Sequence, residues 1–413
     1  MPRIEQFRRA LKVLSDHASN LLLERRVRQQ LASAAPATGQ GYDAVVYFAD
    51  DVASAYQVRQ WFGPMSRLAR THPVAVLCHR PSTAGALLKD APLPVHLATG
   101  IAQVEEFIQA HGVRVVFYVN NNQANFTVLR LTSPIHIHLS HGESDKISMA
   151  SNQLKAYDHC FIAGEASRRR IEAAVRHLRP GSLVEVGRPQ LDDSLDGTGG
   201  SQGTTGGDRV GKAGTTRRAT VLYAPTWEGD RPAMAYGSLV SHGPALVEAI
   251  LASGEYRLIF RPHPRSGTRL PAHGQAVERI SAMIKAAAKT EPEAGHYVDD
   301  RPDFAESMSE ADVCVCDISA MAMDWLPRGK PLLVTMPADP GAAVDRNGIA
   351  GVVPLLDTGD SGNIVQVLHD LEAAPVSREQ SDLVRRIFGD TSPFASTRRF
   401  ISAFERALAE AGL

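Results

Sequence analysis

The chain has 413 residues, too many for one ordinary hydrophobic core, so we expect two domains. Hydrophobic residues make up 44% and charged residues 22%, yet no run approaches the ~20 apolar residues of a membrane-spanning helix. A net charge of −1 excludes general attraction to nucleic acid, and four cysteines are too few for a disulfide framework. We therefore predict a cytoplasmic protein, and no nucleic acid among its partners.

Residues 1–40 form an amphipathic helical pattern. Ile4, Phe7 and Leu11 begin an apolar stripe with spacings of three and four, and arginines lie around it. We predict that this segment packs on its own domain. The alternative is peripheral contact with the inner face of the cell membrane, since basic amphipathic helices bind anionic membrane surfaces.

Residues 41–192 alternate short β-rich runs with longer segments of helical spacing, such as Ile101–Ala110. This alternation predicts a parallel sheet covered by helices. The predicted strands are Tyr42–Phe48, Val74–Cys78, Val95–Ala98, Val113–Val119, Ile135–Leu139, His159–Ala163 and Leu183–Val186.

The fifth of these runs leads into His141-Gly-Glu-Ser-Asp-Lys146. Residues that contact ligands in open α/β sheets lie where strands end. Histidine is the side chain best suited to remove a hydroxyl proton near neutral pH. His141 is therefore a candidate general base, and Lys146 is a candidate contact for a substrate phosphate. The alternative is a glycine-assisted turn with an incidental histidine, which this segment taken alone favours.

A zinc site is the alternative for this run. His136, His138 and His141 nearly match the His-x-His-x-Asp-His signature of metallo-β-lactamase-class hydrolases, and imidazoles are good zinc ligands. Ser140 stands where that signature has aspartate, and the α/β alternation is wrong for that fold. We predict neither a metal nor another cofactor.

Residues 193–217 are predicted to be a flexible linker, because 196–216 contain eight glycines and few apolar residues. A phosphate-binding glycine loop needs a strand running into it, and none does here. The strand–helix alternation restarts in residues 218–376. The predicted strands there are Ala219–Ala224, Tyr256–Phe260, Ala294–Val298, Val313–Cys316 and Pro331–Met336, and the predicted helices are Ala245–Ala252, Ala276–Ala288 and Met321–Pro327.

Residues 377–413 carry two further helical patterns, Leu383–Phe388 and Phe400–Leu408. We expect this segment to return across the junction and brace the two domains. Cys314 and Cys316 lie two apart in an apolar run, so they share one strand face and are predicted to fill the core.

Two strand ends in the second half carry groups suited to phosphate. In Arg261-Pro-His-Pro264, the prolines stiffen a loop that offers a guanidinium fork and an imidazole. Asp317-Ile-Ser319 precedes a helix, where Ser319 and free backbone N–H groups make an anion pocket. Capping of that helix by either residue is compatible with this pocket.

These motifs occur in one order along the chain. Tyr223-Ala-Pro-Thr-Trp227, Arg261-Pro-His-Pro264, and Asp317-Ile-Ser319 with Asp324 follow the earlier His141-Gly142. The set resembles the CDP-glycerol glycerophosphotransferase family of teichoic-acid-type polymer synthesis, over roughly residues 113–405. Gly187-Arg-Pro189 with Asp192 and Phe388-Gly-Asp390 are similar to two further elements of that family.

The resemblance implies the GT-B fold, with two Rossmann-like, doubly wound α/β domains facing a central cleft. It implies an acceptor domain that supplies His141 and Lys146, and a second domain that binds a CDP-alditol donor. The implied donor-binding residues are Tyr223, Pro225, Thr226, Arg261, His263, Asp317, Ser319 and Asp324.

The implied reaction transfers an alditol phosphate, glycerol phosphate in the family, to a hydroxyl of a cell-envelope glycan or lipid-linked acceptor. CMP is released. Two alternatives stay open at this point: a GT-B nucleotide-sugar glycosyltransferase or epimerase, and an inactive nucleotide-binding homologue.

Overall fold

The computed structural model describes residues 22–33, 41–140, 142–143, 150–195, 217–301, 304–342 and 344–410. The predictions for residues 1–21, for His141 and Lys146, and for the glycine-rich 196–216 lie outside these residues.

The first half forms a seven-stranded parallel sheet, which we call the N-terminal sheet, in the order β3-β2-β1-β4-β5-β6-β7. Strands β1, β2 and β4 at its centre are continuous apolar runs, as expected of a parallel sheet that is buried on both faces. All seven predicted strands are confirmed. They are β1 Ala44–Phe48, β2 Val74–Cys78, β3 Val95–Leu97, β4 Val115–Tyr118, β5 Ile135–His138, β6 His159–Ile162 and β7 Leu183–Glu185.

The chain moves outward from β1 to β2 and β3, then returns to place β4 on the other side of β1. The crevice beyond the carboxyl ends of β1 and β4 is therefore the topological switch point, the usual ligand position in such sheets. The helices of this half are α1 (residues 22–33), α2 Tyr56–Arg59, α3 Phe62–Leu68, α4 Pro81–Leu87, α5 Ile101–His111, α6 Asn125–Val128, α7 Glu165–Ala174 and α8 Asp192–Leu195.

Helix α1 packs on this half of the protein. Val27 is buried in the same core as Ala84 and Leu87 of α4, whereas Leu22 and Leu23 are exposed. In the part of the chain that the structure describes, no helix combines the length and apolar character needed to cross a membrane.

The second half forms a six-stranded parallel sheet, the C-terminal sheet, in the order β10-β9-β8-β11-β12-β13. Its strands are β8 Ala219–Ala224, β9 Tyr256–Phe260, β10 Tyr297–Val298, β11 Val313–Cys316, β12 Leu332–Thr335 and β13 Leu355–Leu356. The helices are α9 Gly243–Ser253, α10 Pro271–Thr290, α11 Ala305–Glu310, α12 Ala320–Trp325, α13 Ile364–Ala373, α14 Arg378–Phe388 and α15 Ala395–Glu410.

Two strand predictions need correction here. The predicted strand Ala294–Val298 begins only at Tyr297, because Pro292 starts a 3-10 turn that includes Ala294. Strand β13 was not predicted, since two residues are too few to show a pattern. Cys314 and Cys316 are buried as free thiols in the core, as predicted.

The last two helices pack on different sheets. Leu383 and Ile387 of α14 belong to the core of the C-terminal sheet. Phe400 and Phe404 of α15 belong to the core of the N-terminal sheet, where both rings lie near Phe117. The chain therefore crosses the junction twice, while the exact domain bounds stay a prediction.

Candidate active site

The loop after β5 is held in an unusual backbone conformation. Ser140 has a φ of 60°, in the left-handed region that non-glycine residues rarely adopt. Trp61 donates its indole N–H to the Ser140 carbonyl at 2.7 Å, and the Ser140 hydroxyl donates to the Gly142 carbonyl at 3.1 Å. Strained backbone of this kind is concentrated at functional sites.

Gly142 brings this loop against the C-terminal half. A Cβ atom added at Gly142 would lie 3.0 Å from the Cβ of Ala320, the first residue of α12, and 4.0 Å from Nη2 of Arg188. The absence of a side chain therefore permits the close approach. His141 itself is not described, but the residues on both sides of it are, and Gly142 lies beside the predicted anion pocket.

Ser319 is the N-cap residue of helix α12 and lies at that pocket. Its backbone is extended, its side chain is buried, and its hydroxyl has no hydrogen-bond partner in the part of the chain that the structure describes. The first N–H groups of a helix also lack partners within the helix. A buried hydroxyl beside such groups is suited to an anionic oxygen.

Asp317 holds the loop that contains Thr226 and Ser238. Its carboxylate accepts hydrogen bonds from the Thr226 N–H at 2.6 Å, the Ser238 N–H at 3.2 Å and the Thr335 hydroxyl at 2.6 Å. The side chain is wholly buried, and burial raises the pKa of its carboxyl group. Asp317 thus acts as a positioning residue for this loop.

Tyr223 also contacts the loop that contains Ser238. Its side chain is wholly buried, stacks on Phe260 at 5.7 Å and shares a hydrogen bond of 2.9 Å with the Ser238 hydroxyl. Its predicted contact with a donor is therefore indirect at most. Pro225 and Thr226 are buried directly after β8, and donor contact stays a prediction for both.

Arg261 is oriented by a buried acid. Its guanidinium donates to Asp299 at 2.5 Å and to the Arg301 carbonyl at 2.8 Å. Asp299 is fully buried, and its carboxylate also accepts a hydrogen bond from the Arg301 Nε at 2.7 Å. These bonds fix the Arg261 side chain at the end of β9, and its contact with a donor phosphate stays a prediction.

His263 lies where the two halves meet. Its Nδ1 accepts a hydrogen bond from the Arg265 N–H at 3.1 Å, so a neutral ring carries its proton on Nε2. Its ring is 5.8 Å from that of Tyr56 on α2 and 6.5 Å from that of Trp227. The Arg265 guanidinium lies over the Trp227 ring, with its Cζ 4.2 Å from the ring centroid.

Three comparisons with known proteins bear on this arrangement. The family model described as CDP-Glycerol:Poly(glycerophosphate) glycerophosphotransferase matches residues 113–339, more than half of the chain. The chain belongs to this family. A search of curated proteins found no match.

Solved structures show the fold. The wall teichoic acid polymerase TagF, in a variant soaked with CDPG, is 12% identical over 98% of both chains, with a TM-score of 0.54. A glycosyltransferase from Rickettsia africae is 10% identical, covering 90% of this chain and 99% of its own, with a TM-score of 0.52. S. aureus MnaA with UDP is 12% identical, covering 88% and 97%, with a TM-score of 0.54. The predicted GT-B fold is confirmed.

Asp324, which the family resemblance placed at the donor, forms a buried ion pair. Arg188 donates through Nε and Nη2 to the two oxygens of Asp324 at 2.9 and 3.0 Å, and both side chains are at most 6% exposed. This bidentate pair joins the segment after β7 to α12. The Asp324 carboxylate therefore positions the two halves, and its direct donor contact stays a prediction.

The two further family elements meet at the same junction. Gly187 has a φ of 79°, and a Cβ there would collide with Ser396 and Arg399 of α15. Arg399 donates to the carbonyls of Phe388 at 2.8 Å and Asp390 at 3.0 Å. Gly187 is thus required by close packing at the junction of the two halves.

Two acids near the site have their charges compensated inside the protein. Glu143 pairs with Arg170 and accepts from the Ser167 hydroxyl at 2.7 Å. Glu228 accepts from the backbone N–H groups of residues 267, 269 and 270 at 3.0, 2.8 and 3.1 Å. Burial would raise the pKa of Glu228, but these hydrogen bonds outweigh it and lower the pKa. Neither carboxylate is left to repel an anionic donor.

The zinc alternative fails at His136. Its two ring nitrogens are hydrogen-bonded to the Tyr118 hydroxyl and the Leu131 carbonyl, both at 2.8 Å, so neither is open to a metal. Burial also lowers the pKa of His136. Across the described ranges, no group of three or more histidine, cysteine or acidic side chains is placed to hold a metal ion.

A cavity of ≈ 250 Å³ opens beside the β5 loop. Apolar side chains from β6 and α7 form part of its lining, and polar groups of Asn120, Asn121, Ser140 and Gln190 lie along it as well. The cavity belongs to the half of the chain that the family resemblance assigns to the acceptor.

Proposed function

We propose that this protein transfers an alditol phosphate, glycerol phosphate in the first instance, from a CDP-activated donor to an acceptor hydroxyl. The acceptor is a cell-envelope glycan or a lipid-linked acceptor, and CMP is the second product. The approach of Gly142 to Ala320 carries this proposal, because it sets the residue next to His141 beside Ser319. Membership of the family and the charge compensation of Glu143 and Glu228 support it.

In the proposed reaction, the acceptor oxygen attacks the phosphorus that carries the alditol, and His141 takes the hydroxyl proton. The bond from that phosphorus to the bridging oxygen breaks, and the electron pair leaves on CMP. Ser319, Thr226, His263 and Arg261 stabilise the developing charge, and Lys146 meets a phosphate. Positioning and electrostatic stabilisation supply most of the catalysis in phosphoryl transfer.

We propose a cytoplasmic location at the inner face of the cell membrane, where a lipid-linked acceptor would be reached. The exposed Leu22 and Leu23 of α1 support contact with that surface.

The nucleotide released identifies the reaction. The purified protein is incubated with CDP-glycerol, CDP-ribitol and a set of nucleotide sugars, together with an extract that supplies the acceptor. We expect it to release CMP from a CDP-alditol. A nucleoside diphosphate released from a nucleotide sugar would instead indicate a glycosyltransferase. Sugar interconversion would indicate an epimerase, and binding without any product would indicate an inactive homologue.

Arg261→Ala is expected to weaken donor binding about 10- to 100-fold, since a charge-assisted hydrogen bond contributes roughly 1.5–3 kcal/mol. Calorimetric titration with the donor measures this change. Arg257→Ala is the matched control: Arg257 lies on the same strand, but its guanidinium pairs with Glu310 at 2.6 Å. Equal donor affinity in both variants would remove Arg261 from the site.

A further inference from the structure

A cluster of polar side chains occupies the topological switch point of the N-terminal sheet. Asp50 follows β1 by two residues, and Asn120 follows β4 by two residues. Strands β1 and β4 are parallel, hydrogen-bonded neighbours, so Asp50 and Asn120 both lie at the carboxyl-terminal edge of the sheet. None of the donor and base residues discussed above belongs to this cluster.

Direct hydrogen bonds link the cluster. The Asn120 amide donates to Asp50 at 2.6 Å and to Gln57 at 2.7 Å. The Asn122 amide donates to the other Asp50 oxygen at 2.5 Å. The Asp50 carboxylate is thus fixed in orientation by two neutral amides, while the residue remains partly exposed to solvent.

No arginine or lysine of the described residues forms an ion pair with Asp50. The neighbouring Arg80 donates its Nε to the Ala49 carbonyl at 3.1 Å instead. Burial raises the pKa of the Asp50 carboxyl. Arg80 attracts this carboxylate electrostatically but forms no ion pair with it, so the charge on Asp50 still disfavours phosphate, and its oxygens are good acceptors for hydroxyl groups.

The cluster faces the junction between the two halves. Gln57 is next to Tyr56 in the sequence, and the centroid of the Tyr56 ring lies 5.8 Å from that of His263. On its other side, Asn120 lines the same cavity as Ser140 and Gly142. Asn120 therefore connects the cluster to the cavity beside the β5 loop, and Tyr56 connects it to His263.

We propose that Asp50, Asn120, Asn122 and the exposed Asn121 form a subsite for an uncharged polyol, which holds vicinal hydroxyls of the acceptor next to the reacting one. The carboxylate, which Asn120 holds in place, accepts from one hydroxyl, and the amides of Asn121 and Asn122 donate to or accept from its neighbour. The assignment to the acceptor rests on the proposed function, whereas polyol binding itself does not.

Asp50→Asn tests the subsite in the full-length protein. The probes are glycerol and methyl α-D-glucopyranoside as uncharged polyols, with inorganic phosphate as the charged probe, titrated by ligand-observed NMR. We expect at least one polyol to bind the unmodified protein and to bind Asp50→Asn about 10- to 100-fold more weakly. Phosphate binding should stay unchanged.

Asp51→Asn is the matched control. It removes the same charge one residue along, and asparagine can still accept the Ser54 N–H that Asp51 caps at 3.2 Å. We expect it to bind polyols normally. Asn122→Ser is the second variant, in case Asp50→Asn folds poorly: serine can still accept the Ala124 N–H but cannot reach Asp50.

Failure to bind either polyol would overturn the proposal, as would equal polyol affinity in Asp50→Asn and Asp51→Asn. Loss of phosphate binding without loss of polyol binding would also overturn it. A protein that binds polyols through Asp50 but releases no CMP would retain the subsite and contradict only the proposed function. A raised acceptor KM in Asp50→Asn, with donor affinity unchanged, would support both.

Discussion

His141→Ala is expected to reduce turnover by ~10²–10⁴-fold while donor affinity changes little. In the proposed reaction, the general base acts on the acceptor hydroxyl in the transition state, whereas the proposed donor site lies in the C-terminal half. The loss corresponds to roughly 3–5 kcal/mol of transition-state stabilisation. Single-turnover rates and calorimetric donor titration of the same preparation measure the two quantities separately.

The control for this variant is His369→Ala, which removes an exposed histidine of α13 that pairs with Glu255 at 2.8 Å. It should retain full turnover. His136→Ala should lower stability, because Tyr118 and the Leu131 carbonyl lose their partner. Stoichiometric zinc in the purified protein, with activity lost to chelators and to each of the three histidine variants, would contradict the transferase assignment.

Arg188→Ala is expected to lower the free energy of unfolding by about 3–5 kcal/mol, because it leaves the Asp324 carboxylate buried without its partner. Because the pair joins the two halves, turnover should fall as well, even though Arg188 is not assigned to either substrate. Urea unfolding followed by tryptophan fluorescence measures the change in stability.

Glu185→Ala is the matched control, since it breaks the exposed Arg168–Glu185 pair of 2.6 Å in the same region, and such pairs contribute at most about 1 kcal/mol. The double variant Arg188→Met with Asp324→Leu should recover most of the lost stability, because it removes both charges together. If the double variant were as unstable as Arg188→Ala, the buried charge would not be the cause.

The parallel sheets were predictable because their strands are apolar runs that end at polar residues. The runs around Val45 and Val315, for example, are buried on both faces and appear as unbroken hydrophobic stretches. The errors fall on short elements. Tyr297–Val298 and Leu355–Leu356 are strands only because a longer neighbour pairs with them, and this tertiary pairing leaves no local pattern.

The site was predictable only in part. The strand ends that carry Arg261, His263 and Ser319 were predictable, because parallel strands carry ligand groups at one edge, and donor contact at these residues stays a prediction. The motifs did not distinguish a side chain that contacts a ligand from one that holds backbone, as Asp317 does for Thr226. The Arg188–Asp324 pair was missed because its members are 136 residues apart, beyond the reach of periodicity.

The path of α15 affects how the protein is made. Phe400 and Phe404 complete the core under the N-terminal sheet, with Phe117 and Phe161 from the early strands. At ~5–20 residues per second, a ribosome needs on the order of tens of seconds to go from Phe161 to Phe400. During that interval the nascent sheet exposes the apolar surface that α15 later covers. The half that is synthesised first thus completes its core only after α15 has left the ribosome.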